Sequence, residues 1–101
     1  MITEIKNLDD YKTAISSPGF CVIDFYTTWC GPYGPSNFKH FSEVYTNIKF
    51  YQSDVDNNQE VAAECDVICM PTFKFYKSGN LVGEIKGANI KELERILKEN
   101  N

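Results

Sequence analysis

The sequence predicts an α/β fold: one domain with a mixed five-stranded sheet at its centre and four helices around it. Runs with the two-residue apolar period of strands alternate with runs at the longer period of helices. The last two strand-like runs are separated by Ser78-Gly79-Asn80, a hairpin signal. A length of 101 residues with a hydrophobic fraction of 43% suits one domain with one core. The expected order is therefore β-α-β-α-β-α-β-β-α over residues 1–101, with helices on both faces of the sheet.

The first half of the chain is expected to contain two strands and two helices. Residues 2–5 alternate apolar and polar, as a short edge strand does. Asp9 is expected to cap a first helix, which ends before Pro18. The run 21–26 is almost continuously apolar, which is typical of a central strand covered on both faces. Apolar residues then recur every three or four positions, and this spacing predicts a second helix over about 36–46.

The second half is expected to contain three strands and two helices. The strands are expected at 49–55, 72–77 and 81–86. Asn57 or Asn58 is expected to cap a short helix that runs through Cys65. Asn89, with Glu92 three residues later, has the pattern of a capping box at the start of the last helix. The apolar face of that helix is predicted to be Ile90, Leu93, Ile96 and Leu97.

The charge pattern limits the classes of partner. The formal net charge is −4, and the lysines are spread through the chain without a basic cluster, which argues against nucleic acid. No apolar run approaches the roughly 18 residues of a membrane helix, and the N-terminus lacks the pattern of a secretory signal. We therefore expect a cytoplasmic protein that binds neither nucleic acid nor membrane.

The four cysteines are Cys21, Cys30, Cys65 and Cys69. Cys21 opens an apolar strand, and neither Cys65 nor Cys69 has a neighbouring histidine, so a zinc site is not expected. Reduced thiols in a reducing compartment fit this pattern better than a disulfide framework. Cys21 and Cys65 are expected to behave as small buried apolar side chains, and the lone His40 as a surface residue. No metal or other cofactor is predicted.

Chemistry is expected where the central strand leads into the second helix, because ligands gather at the carboxyl ends of strands in open α/β sheets. The residues there are Trp29-Cys30-Gly31-Pro32, and they resemble the active-site motif of the thioredoxin family. The Cys65 and Cys69 pair is similar to that of the animal cytosolic members. The resemblance covers most of the chain and continues through 53–56, 61–65, 69–73, 83–84 and 87–89.

The resemblance implies a thioredoxin fold and two catalytic residues. Cys30 matches the nucleophile whose thiolate attacks a substrate disulfide to give a mixed disulfide; a passive exposed cysteine is the alternative. Asp24 matches the acid that helps to move the proton of the second active-site cysteine. Because Asp24 stands in an apolar strand, burial is expected to raise its pKa.

The resemblance also implies a groove for an extended segment of a protein substrate. Pro71 matches the family's cis-proline, which exposes the backbone of Met70 for pairing with the substrate. Gly87 matches a glycine that keeps the groove open, although a simple turn residue is an equal alternative. Cys69 is a candidate regulatory thiol beside the groove. The other substrate-binding candidates are Trp29, for which core packing is the alternative, Gly31 and Pro32.

The active-site loop departs from the family pattern. Tyr33 stands at the place of the resolving cysteine, and a phenol cannot attack a mixed disulfide, so the ordinary dithiol cycle is expected to be blocked. Gly34 stands where the family has lysine, and Phe38 stands at the place of its helix-bending proline. The segment up to Ser42-Glu43 is about two residues shorter by count, which suggests a shortened active-site helix beginning near Pro35.

Three functions remain open at this point. The first is an oxidoreductase that uses Cys30 alone, with glutathione, a thioredoxin reductase or Cys69 supplying the resolving thiol. The second is a redox-inactive module that captures extended peptides in the groove formed by Trp29, Met70 and Pro71. The third is a working oxidoreductase whose active-site loop was altered deliberately. The sequence leaves both a monomer and a Cys69-linked dimer open.

Overall fold

The computed structural model describes residues 2–26, 35–64 and 71–101 of the chain. Within these ranges the elements alternate in the predicted order. They are β1 (Ile2–Glu4), α1 (Leu8–Ser16), β2 (Phe20–Tyr26), α2 (Pro35–Val44), β3 (Lys49–Asp54), α3 (Gln59–Glu64), β4 (Thr72–Lys77), β5 (Asn80–Lys86) and α4 (Ile90–Asn100).

The strands form one mixed sheet in the order β1-β3-β2-β4-β5. β1, β3 and β2 run parallel, whereas β4 is antiparallel to both β2 and β5. The predicted architecture of five strands and four helices is confirmed within the described residues. Six of the seven residues of β2 are buried, which agrees with its predicted place at the centre.

Two apolar layers hold the helices on opposite faces of the sheet. On one face Phe38 and Phe41 of α2 and Leu93 and Leu97 of α4 share a core with alternate residues of the strands. On the other face α1 and α3 pack on the remaining strand residues. The predicted apolar face of α4 is confirmed, since Leu93 and Leu97 are fully buried and Ile90 and Ile96 pack partly buried beside them.

The first helix starts differently from the prediction that Asp9 caps it. Asn7 is the N-cap, and its Oδ1 accepts a 2.8 Å hydrogen bond from the N–H of Asp10. The carboxylate of Asp10 accepts in turn from the N–H of Lys6 at 3.0 Å. The first bond satisfies a backbone donor of the first turn and the second satisfies a donor ahead of it, so the helix begins at Leu8 and Asp9 lies in its first turn.

The other predicted boundaries lie within two residues of the observed ones. The capping bond at α4 is confirmed, since the N–H of Glu92 donates to Oδ1 of Asn89 at 3.2 Å. α3 begins directly after Asn58, one of the two residues predicted to precede it, and Cys65 lies outside the described residues. The hairpin turn is Ser78-Gly79, and both residues have positive φ, as the tight turn between β4 and β5 requires.

Candidate functional site

The predicted site residues that the structure describes lie in β2 or at one edge of the sheet. The parallel strands β1, β3 and β2 end at this edge, while β4 begins and β5 ends there. Tyr26 ends β2, Pro71 precedes β4 and Gly87 follows β5. The fold therefore brings segments that are distant in sequence to the ends of adjacent strands.

Most of the motif lies outside the part of the chain that the structure describes. This applies to the predicted nucleophile, the resolving position, the candidate regulatory thiol and several groove residues. They are Trp29, Cys30, Gly31, Pro32, Tyr33, Cys69 and Met70. Their roles stay predictions, and the structure of the site is described by the residues that flank them in sequence or lie in the neighbouring strands.

Asp24 is buried in the middle of the sheet, two residues before the end of β2. Asp24 is only 2% exposed, and it pairs in register with Gln52 of β3 and Phe73 of β4. Phe73 belongs to the core beneath α2 and α4, so the cross-strand pairing places Asp24 on that face. The expectation that this acid is buried is confirmed.

Pro71 and Gly87 are joined directly. The N–H of Gly87 donates to the carbonyl oxygen of Pro71 at 2.7 Å, and Pro71 is buried. Gly87 has φ +94°, a conformation that side chains with L configuration rarely adopt. No described atom lies within 4 Å of the place where a Cβ would stand at residue 87. The backbone conformation, rather than crowding by the described residues, therefore accounts for glycine here and supports its interpretation as a turn residue.

A polar network that the sequence reasoning missed lies at the same edge. Gln52 of β3 donates from Nε2 to Oε1 of Glu4 at 2.9 Å, and the phenol of Tyr26 lies near the same carboxylate. The three residues come from adjacent strands, and the strand order that brings them together could not be obtained from sequence spacing. The only available signal was that Glu4 lies within one strand-like run and Tyr26 ends another.

The phenol of Tyr26 is surrounded by acids. Burial and, after it, the nearby carboxylates of Glu4, Asp54 and Asp24 together raise the pKa of Tyr26 to about 12. A phenol with such a pKa remains protonated throughout the physiological range. The Tyr26 side chain therefore adds no negative charge beside these carboxylates.

Asp54 shapes the loop that follows β3. Its Oδ1 accepts from the N–H of Asp56 at 3.0 Å, and its Oδ2 accepts from the side-chain amide of Asn57 at 3.0 Å. The Asn58 amide donates to the main-chain oxygen of Asp54 at 3.1 Å. A carboxylate bound in this way stabilises a tight turn at the end of the strand.

Cys21 and His40 have the environments that the sequence predicts. Cys21 is 2% exposed, and burial raises the pKa of its thiol to about 11, although the Lys49 charge opposes the shift. A thiol of this kind is protonated and inert at neutral pH. His40 is exposed on α2.

Within residues 2–26, 35–64 and 71–101, no cluster of three or more histidine, cysteine or acidic side chains could hold a metal ion. In the same ranges no helix is both long enough and apolar enough to cross a membrane.

Comparisons with known proteins agree with this architecture. The family model described as thioredoxin matches residues 2–99. Thioredoxins of Bos taurus and Homo sapiens are 45% and 43% identical to the chain over 103 aligned residues, and each comparison covers 98% of both chains. The crystal structure of oxidised mitochondrial thioredoxin 3 from Saccharomyces cerevisiae is 39% identical, with a TM-score of 0.91 over 97% of this chain and 94% of that one.

Proposed function

The chain belongs to the thioredoxin family, and from that premise we propose that it acts on protein disulfides through Cys30 alone. The family supports thiol–disulfide oxidoreductase chemistry. The observation that carries the one-cysteine proposal is in the sequence: Tyr33 follows Cys30-Gly31-Pro32 at the place where the family has its second cysteine. We also propose that the active-site helix is shortened, on the count of residues between Cys30 and Ser42.

The proposed reaction has three exchange steps. The thiolate of Cys30 attacks one sulfur of a substrate disulfide, the substrate S–S bond breaks, and the released sulfur takes up a proton. Glutathione then attacks the Cys30 sulfur of the mixed disulfide, which releases the second substrate thiol and leaves Cys30 joined to glutathione. A second glutathione restores Cys30 and leaves as oxidised glutathione. Two electrons thus pass from two glutathione thiols to the substrate disulfide.

The role of Asp24 changes in this scheme. In the family the matching acid serves the proton of the second cysteine, and Tyr33 offers no thiol at that position. Asp24 is nevertheless buried two residues before the end of β2, the strand that leads to the motif. We therefore assign Asp24 a secondary part in the one-cysteine reaction and keep Cys30 as its essential group.

Substrate binding is proposed at the edge marked by Pro71 and Gly87. Their 2.7 Å hydrogen bond ties the start of β4 to the end of β5, where Trp29, Gly31, Pro32 and Met70 would complete a groove for an extended peptide. Protein disulfides are the proposed substrates, glutathione or a thioredoxin reductase the proposed reductants, and the cytoplasm the proposed compartment. A Cys69-linked dimer is a further proposed state beside the monomer.

The hydrogen bond between Pro71 and Gly87 also favours a second candidate, a redox-inactive binding module. A groove that includes Pro71 can capture an extended segment without any reaction at Cys30. This function requires the described strand edge and no reactive thiolate, so the two candidates differ in the chemistry of Cys30 alone.

Oxidised glutathione tests the proposed function. The reduced chain is incubated with it near neutral pH, and each cysteine is assigned by peptide mass. We expect a mixed disulfide at Cys30 that reduced glutathione reverses, and no such adduct in the control variant Cys30→Ser. A chain in which Cys30 stays unmodified would support the binding module instead.

The Tyr33→Cys variant tests the shortened helix separately. If only the cysteine were missing, its return would restore insulin reduction with a reducing system to the level of the family. We expect little turnover, because the loop differs in length as well as in that residue. Family-like turnover would contradict the shortened helix.

A further inference from the structure

Lys86 is an exposed lysine at the end of the sheet that Pro71 and Gly87 mark. It is the last residue of β5, and Gly87, which follows it, donates the 2.7 Å hydrogen bond to the carbonyl oxygen of Pro71. In the sheet Lys86 stands opposite Thr72, the residue directly after Pro71. The side chain of Lys86 is 52% exposed. The register of β4 and β5 therefore places a solvated cationic residue beside the predicted substrate edge.

The carboxylate nearest to Lys86 is already engaged by another lysine. Oε2 of Glu84 lies 2.8 Å from the ammonium of the buried Lys74, whereas the ammonium of Lys86 lies 3.8 Å from Oε1. The hydrogen bond from Lys74 is also the first cause of the lowered pKa of Glu84. Within the described part of the chain, no other carboxylate forms an ion pair with Lys86. Two lysines thus share one carboxylate, and an excess of one positive charge remains.

The acidic side chains of the site edge do not neutralise Lys86. Glu4 and Asp54 end β1 and β3, which the strand order places four and three spacings from β5. At about 4.8 Å per spacing these backbones are roughly 14–19 Å away, beyond the Debye length of about 8 Å. Asp24 is closer, but it is buried on the opposite face, because Lys86 alternates along β5 with the core residue Ile85. Lys86 therefore keeps a local positive charge although the net charge of the chain is −4.

Resting on the proposed binding of an extended segment at this edge, we propose that Lys86 selects ligands that carry a carboxylate beside the bound segment. The carboxylate comes from an aspartate or glutamate near the disulfide of a protein substrate, or from glutathione. Because the pair is exposed, it adds a modest gain in affinity and is not a condition for binding. Lys86 is a specificity-determining residue in this proposal, since it pairs with the ligand and takes no part in thiol–disulfide exchange.

Two matched peptides test the selection without any reaction at Cys30. Both are short peptides of serine and valine with a central serine in place of cysteine. The central serine is flanked on both sides by aspartates in one peptide and by asparagines in the other, so that either direction of binding brings one of them to Lys86. Binding to the reduced chain is followed by the NMR shifts of the backbone amides of Lys86 and Gly87.

We expect the aspartate peptide to bind about 1.5- to fivefold more tightly, the range of exposed ion pairs. Lys86→Gln should abolish this preference, and Lys86→Arg should keep it because the charge remains. Lys77→Gln is the matched control, since Lys77 is an exposed lysine at the other end of β4, and it should leave the preference unchanged. Added salt should weaken the preference of the parent chain.

A second arm tests glutathione as the source of the carboxylate. The rate at which oxidised glutathione modifies Cys30 is compared with the rate of its ethyl ester, whose carboxylates are blocked. In both reactions the Cys30 thiolate attacks one sulfur, the S–S bond of the probe breaks, and the released sulfur takes up a proton. If glutathione is the source, Lys86→Gln lowers the ratio of the two rates by about 1.5- to fivefold.

A loss of selectivity in either arm on Lys86→Gln supports the proposal, and the arm that responds identifies the source of the carboxylate. Selectivity that is absent from the parent chain in both arms, or that Lys86→Gln leaves unchanged in both, would overturn it. An inert Cys30 together with a preserved preference between the peptides would contradict the proposed oxidoreductase function alone, so the two failures are distinguishable.

Discussion

The N–H of Gly87 donates a 2.7 Å hydrogen bond to the carbonyl oxygen of Pro71. This bond joins the residue that follows β5 to the residue that precedes β4, at the end of the sheet where β2 also ends. It depends on a backbone with φ +94° at residue 87, which glycine adopts without strain. The conformation of one glycine thus fixes the position of the proline predicted to bind substrate.

Gly87→Ala is expected to destabilise the protein by about 1–2 kcal/mol, because an L side chain is strained in this conformation. For a domain of this size the melting temperature should fall by about 4–8 °C per kcal/mol. The matched control is Gly83→Ala, whose Cβ would stand 3.5 Å from a Phe75 ring carbon in ordinary contact and without positive φ. Thermal unfolding that shows equal losses for the two variants would contradict this explanation.

Lys74 is a buried lysine whose ammonium lies 2.8 Å from Oε2 of Glu84, with the two side chains 6% and 31% exposed. We expect Glu84→Ala to cost about 1.5–3 kcal/mol in urea unfolding, because it leaves a buried cation without this carboxylate. Adding Lys74→Met should then recover stability, since the apolar side chain needs no counter-charge. A double variant less stable than Glu84→Ala would refute this account of the pair.

The same pair predicts a pH dependence. Its hydrogen bond from Lys74 holds the pKa of the Glu84 carboxyl below the ordinary value of 4.5. The unfolded chain therefore takes up this proton first as the pH falls, so the stabilisation is complete above about pH 4.5 and is lost below it. We expect Glu84→Gln to flatten the acid side of the stability profile measured by urea unfolding. Profiles that stay parallel between the parent chain and the variant would rule out this linkage.

Cys21 predicts an effect on the alkaline side. Its pKa is raised from 9.0 to about 11, chiefly by burial, so between these values the unfolded thiol ionises while the folded one stays protonated. Stability should decline over this range by roughly 1–3 kcal/mol, at about 1.4 kcal/mol per pKa unit. Cys21→Ala should remove that decline from urea unfolding profiles measured between pH 8 and pH 11. An unchanged slope in the variant would contradict the assignment.

Local sequence signals predicted those elements whose determinants lie close together in the chain. The Asn89 cap, the face of α4 and the Ser78-Gly79 turn each depend on residues within about one helical turn or hairpin. The prediction that Asp9 caps α1 was wrong, because Asn7 and Asp9 are both residue types that suit an N-cap. The reciprocal bonds of Asn7 and Asp10 decide between them, and these become visible only in three dimensions.

Contacts between strands could not be predicted in the same way. Counting back from the hairpin turn would pair Lys74 with Gly83, but the register shifts by one residue between Phe75 and Tyr76. The shift places Lys74 opposite Glu84, so the buried ion pair depends on a β-bulge. The sequence analysis did not predict this bulge. The hydrogen bond between Gln52 and Glu4 depends likewise on the order of the strands in the sheet, which sequence spacing does not contain.

The central claim is that Cys30 is a reactive thiolate, and its alkylation rate as a function of pH tests it most directly. Each cysteine of the reduced chain is followed by peptide mass, with buried Cys21 as the internal control for a protected thiol. We predict fast, selective modification of Cys30 with an apparent pKa below about 7.5, as reactive cysteines show. A Cys30 that titrates like a free thiol near pH 8.5 would contradict the claim and favour the binding module.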